Sequence, residues 1–156
     1  MDKELFYEII KSPRFALDIE TTGLNPFSKG SGLLAEPERI LLISVSDGIR
    51  AAAVDWTPEI SRALAAVRNA EILGYRFIFD LLFLKCRGCH MHRSNYYHDL
   101  MLAYKVLTAG YPLNTDRSLK GALSRVLGIE LDKEVRNEFI GHTGPIEWAA
   151  NIGDIT

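Results

Sequence analysis

A mixed five-stranded sheet with helices on both of its faces is the α/β fold this sequence predicts. Three observations point to it. First, 156 residues, 47% hydrophobic and 24% charged, are the size and composition of one globular domain. Such a chain buries roughly two-thirds of the surface it exposes when unfolded. Second, three strand-like apolar runs precede the alternation of helices and strands. Third, Asp47-Gly48 is a tight hairpin signal between the second and third runs.

The elements follow in order. The stretch LFYEII (5–10) has an apolar face and forms a short opening helix, ended by Ser12-Pro13. Arg14–Glu20 (RFALDIE) is a buried strand, and Thr21–Glu38 is a loop rich in Gly, Pro, Asn and Ser. Arg39–Ser46 and Ile49–Trp56 form the hairpin. Thr57 caps a helix with Pro58 at its first position, running to about Asn69. Glu71–Tyr75 is the fourth strand. Phe77–Cys86 is helical and stopped by Gly88. Asn95–His98 makes a short fifth strand, and Asp99 caps a helix to about Leu107. Ser118–Leu127 is a helix ended by Gly128, and Pro145 opens a last one, IEWAANIGDIT. Residues 1–156 thus read as a single domain. Its last helix meets the chain end at once, which fits either a domain excised from, or shortened relative to, a longer protein or a small stand-alone protein.

Composition narrows the function classes. The formal charge is −2, whereas domains that hold nucleic acid by bulk charge are strongly basic. A nucleic-acid partner would therefore require a local basic rim or bound cations. No apolar run approaches the ~18 residues of a membrane span, so no membrane partner is expected. Met1–Lys11 lacks a signal-peptide core. Two cysteines are too few for a disulfide scaffold, and a cytoplasmic location is expected.

The chemistry is carried by carboxylates. Asp18 and Glu20 lie two apart at the end of an apolar strand, so both side chains share one face. Paired carboxylates beside a glycine-containing turn suit hard cations such as Mg²⁺ or Mn²⁺. Asp80 lies inside FIFDLLFL, the most apolar segment. An ionised carboxylate there costs several kcal/mol unless paired or metal-bound. The bland alternatives are a solvated strand end for the pair, and a salt bridge from Asp80 to Arg76.

The segments FALDIETTGLNPF, LGYRFIFDLLFL, HDLMLAYKVL, SLKGALSRVLGI and IEWAANIGDIT together resemble, in order, the DEDD-type 3′–5′ exonuclease superfamily. They are most similar to the proofreading domain of family A (bacterial polymerase I-like) DNA polymerases, and similar in pattern to ribonuclease D. The resemblance covers about Arg14 to Thr156. It implies a ribonuclease H-like fold and two-metal hydrolysis of a terminal phosphodiester, with two Mg²⁺ or Mn²⁺ ions ~3.5–4 Å apart. By motif position, Asp18 would bridge both ions, Glu20 would hold the ion that activates water, and Asp80 would hold the second. Thr21 and Leu24 would contact the terminal nucleotide, the leucine wedging against any base. The implied partners are a single-stranded 3′ end and a DNA polymerase domain or subunit.

The third motif departs from the pattern. The superfamily has Tyr, three residues, then a metal-binding Asp, and here Trp148 and Ile152 occupy those places. Asp154 would lie ~240° round a regular helix from Trp148, against ~40° for the i+4 position. It reaches the ions only if Gly153 breaks the helix. His142 and Glu147 have the spacing of another branch of the superfamily, but Gly144-Pro145 interrupts them. In the second motif, Arg76 or Phe77 replaces an Asn. Two readings follow: a metal-dependent exonuclease with a degenerate third motif, or a catalytically impaired domain of the same fold that binds nucleic acid or packs in a polymerase. A zinc site drawn from Cys86, Cys89, His90 and His92 is a third. Arg117, Lys120 and Arg125 form either a phosphate track or a solvated face.

Overall fold

The computed structural model describes residues 2–27, 37–110 and 116–130. Among these residues are a five-stranded mixed sheet and five helices. In chain order they are α1 (Lys3–Ile9), β1 (Arg14–Thr21), β2 (Ile40–Ser46), β3 (Ala51–Asp55), α2 (Pro58–Ala66), β4 (Glu71–Gly74), α3 (Ile78–Cys86), β5 (Tyr96–Asp99), α4 (Leu100–Leu107) and α5 (Leu119–Leu127). The strand order is β3-β2-β1-β4-β5. β2 is antiparallel to β1 and β3, whereas β4 is parallel to β1 and β5. The fold class is therefore the one expected from the hairpin and the alternation that follows it.

Local chemistry sets the element ends. Asp2, Thr57, Asp99 and Ser118 each cap a helix by accepting a backbone N–H within the first turn. Asp47 Oδ1 accepts the N–H groups of Ile49 and Arg50 and closes the β2–β3 hairpin. Gly128 ends α5 at φ +68°, a conformation that favours glycine. Helix α2 stops at Ala66, three residues short of the expected Asn69. The cause is tertiary: buried Asn95 donates to the Val67 carbonyl and accepts the Ala70 N–H, which fixes the approach to β4. Residues 142–156, with Trp148, Ile152, Asp154, His142 and Glu147, lie outside the described residues.

Alternation along β1 divides the sheet. Phe15, Leu17 and Ile19 are buried on the face shared with Val45, Ile43, Val54 and Ile72. Phe6 and Ile9 of α1, Ile60 and Leu64 of α2, and Phe83 and Leu84 of α3 complete this core. Tyr104 of α4 and Ala122 of α5 are buried apart from that cluster. The opposite face of β1 carries Ala16, Asp18 and Glu20, all exposed. Among the described residues no helix is long and apolar enough to cross a membrane.

Candidate metal centre

Asp18 and Glu20 project from the same face near the carboxyl end of β1, as strand alternation requires. The β1–β2 register shifts between Glu20 and Thr21, an irregularity that re-aims the chain where it leaves the sheet. On its other side, β1 pairs with β4 only from Arg14 to Ala16. β4 ends at Gly74, and the chain turns into α3 through Tyr75–Phe77. A Cβ on Gly74 would collide with the ring of buried Phe77, so glycine permits this tight turn. The result is a notch beside the outrunning end of β1, at the carboxyl ends of parallel strands where α/β sheets place ligands.

Asp80 fills the notch. It lies in the first turn of α3 and is 3% exposed. Its Oδ1 accepts the Ile19 N–H at 3.0 Å, a backbone donor that β4 no longer reaches. Asp80 is thereby tied to the residue between Asp18 and Glu20. The carboxyl is pushed up to about 7, first by burial and then by the negative charge of Asp18. Glu20 adds a smaller push, and the N–H groups of Ile19 and of Asp80 itself oppose it. The expected alternative for Asp80, an ion pair with Arg76, does not form. Arg76 lies outside α3 with φ +60°, and its N–H is held by Asp99.

These residues fit divalent cations by donor chemistry. They supply hard oxygen ligands, and their own mutual repulsion is what a cation would relieve. Among the described residues, no three His, Cys, Asp or Glu side chains stand close enough to enclose an ion as they are. Asp80 instead spends one oxygen on Ile19. Asp18, Glu20 and Asp80 are thus brought to one end of β1 without forming a closed cage.

Thr21 Oγ1 donates to the Gly23 carbonyl at 2.5 Å, which tightens the turn after β1. Leu24 is 84% exposed, an apolar side chain held in solvent. Ile78, two residues before Asp80, is also exposed, and the sequence reading did not single it out. Asp99 proves to have two tasks. It caps α4 through the Met101 N–H and also accepts the N–H groups of Arg76 and Phe77 at the entry to α3.

The zinc alternative loses its geometry. Cys89 is buried, its thiol donates to the Ser61 carbonyl, and burial pushes that thiol up. Cys86 is exposed, and the His92 ring bonds Ser94. The helix bearing Lys120 and Arg125 also differs from a cationic track. Those two side chains share an open hollow of about 370 Å³ with Asp116 and Glu130. Arg117 turns its Nε toward Thr108.

Arg76 has left-handed backbone at φ +60°, a region that Asn tolerates better than most side chains. Arg76→Asn should raise stability by about 0.5–1 kcal/mol. The check is a higher denaturant midpoint at unchanged slope.

No protein-family model matches the sequence, and no curated protein matches it significantly. Solved structures do share the fold. Brucella melitensis NrnC with bound Mg²⁺ superposes with a TM-score of 0.64 at 18% identity, over 94% of this chain and 67% of that one. NrnC bound to pGG gives 0.60 at 21%, over 81% and 58%. Escherichia coli RNase D, an exoribonuclease involved in structured RNA processing, gives 0.63 at 16%, over 96% and 37%. The fold is the ribonuclease H-like one that these structures share. This chain spans about a third of RNase D and 58–67% of NrnC.

Proposed function

We propose that this chain is a DEDD-type 3′–5′ exonuclease domain that removes terminal nucleotides from single-stranded nucleic acid with two divalent cations. The observation that carries it is the bond from Ile19 to Asp80, which ties a buried acid to the stretch bearing Asp18 and Glu20. A shared fold with NrnC and RNase D supports the reading, as does the Mg²⁺ bound to NrnC. Asp18, Glu20 and Asp80 would hold the cations, which supply charge stabilisation at the scissile phosphate and an acidified water. Thr21 and Leu24 would orient the terminal nucleotide, with Leu24 offering any base an apolar contact. Two narrower assignments go further. Proofreading within a DNA polymerase rests on motif resemblance alone, and a fourth carboxylate ligand from Asp154 requires Gly153 to break the helix.

The second reading, a catalytically impaired domain that binds nucleic acid or packs in a polymerase, draws on Trp148 and Ile152 in the third motif. One assay separates the two. End-labelled single-stranded DNA and RNA are incubated with the protein and Mn²⁺. Time-dependent shortening from the 3′ end is expected, and Asp18→Ala should reduce it by at least about a thousandfold. Binding without shortening would favour the second reading. Shortening that survives Asp18→Ala would count against the metal centre.

A further inference from the structure

We infer that Glu38 is a positioning residue whose carboxylate, seated over Gly23 and accepting the Asn25 N–H, fixes the loop that presents Leu24. This inference rests on the nuclease reading and concerns how the substrate-contacting loop is aimed. Glu38 Oε2 accepts the Asn25 N–H at 2.5 Å. A Cβ on Gly23 would strike the Glu38 carboxyl group, so glycine leaves the space the carboxylate uses. Leu24 lies between these two contacts. Asn25 then uses its Oδ1 to accept the Phe27 N–H. Beside them, Thr22 and Arg39 exchange a backbone bond, and Thr22 Oγ1 accepts the Arg39 N–H.

The brace is anchored to the helix that carries Asp80. Arg87, at the end of α3, donates from Nε to the Glu38 carbonyl at 2.6 Å. Its guanidinium carbon lies 5.8 Å from the centre of the buried Phe83 ring. Helix α3 therefore grips β1 and its loop at two places. Asp80 holds Ile19 at one end, and Arg87 holds the backbone of Glu38 at the other. A charged acceptor on the Asn25 N–H, with no side chain on Gly23 in between, sets where Leu24 stands relative to the carboxylates.

The test compares Glu38→Ala, Glu38→Gln and Gly23→Ala, each also in a Leu24→Ala background. The readout is steady-state trimming of a short single-stranded DNA in Mn²⁺. Glu38→Ala should raise KM about tenfold, the effect of losing one hydrogen bond to a charged acceptor, with kcat and the Mn²⁺ dependence unchanged. Glu38→Gln keeps an acceptor and should recover most of the loss. Gly23→Ala evicts the carboxylate and should resemble Glu38→Ala. In the Leu24→Ala background, Glu38→Ala should add nothing. An equal fall in kcat, a shifted Mn²⁺ dependence, or full additivity with Leu24→Ala would overturn the proposal. Hydrogen exchange provides an arm independent of activity. In Glu38→Ala the Asn25 amide should exchange at least about tenfold faster while the Ile19 amide holds its rate. If the native chain trims nothing, the nuclease reading fails, and exchange alone decides the brace. Unchanged Asn25 exchange then overturns it.

Discussion

Asp80→Asn should abolish 3′ trimming, by about three orders of magnitude or more, while the protein stays folded. Asparagine has nearly the same shape, and its Oδ1 can still accept the Ile19 N–H that Asp80 now holds. What it lacks is the negative charge that a hard cation requires. Because the carboxyl is buried and crowded by Asp18 and Glu20, removing its charge should leave stability equal or higher at pH 8 without added metal. Activity lost with stability kept is the signature of a ligand. Activity and stability lost together would make Asp80 a structural residue, and activity kept would remove it from the site.

The same carboxyl gives the protein an unusual pH profile. Its folded-state value of about 7 lies above its ordinary value of 3.8. Between those limits the folded chain holds a proton that the unfolded chain has released. Stability contributed by this group is therefore complete below about pH 4 and is lost as pH rises through 7, then levels off. The full loss is on the order of 4 kcal/mol. Mg²⁺ or Mn²⁺ should reverse this, because the ions bind the ionised carboxylates of the folded state. At pH 8 millimolar Mn²⁺ should raise Tm by several degrees, and the increment should fade below about pH 6. Asp80→Asn should remove most of both effects. A metal-free stability curve that is flat from pH 5 to 8 would contradict the burial of Asp80.

Much of this site was legible in the chain. Strand alternation alone placed Asp18 and Glu20 on one face, and an acid within FIFDLLFL signalled an unusual environment. Thr57 and Asp99 marked helix starts because capping depends on neighbours within one turn. Long-range partners were not legible. Nothing in the sequence says that Asp80 takes the Ile19 N–H beyond the end of β4. Nor does it reveal that Asn95 ends α2 early, or that Glu38 reaches back to Asn25. These depend on register and on chain segments meeting across the sheet, which local patterns do not encode. Trp148, Ile152 and Asp154 lie outside the described residues, so the third motif is known from sequence alone.

Crystals soaked in Mn²⁺ and measured at the manganese absorption edge would locate the ions directly. Anomalous peaks within about 2.0–2.3 Å of oxygens from Asp18, Glu20 and Asp80, at the carboxyl end of β1, are the expected result. A saturated crystal with no peak there, or with manganese bound only elsewhere on the surface, would contradict the proposed metal centre.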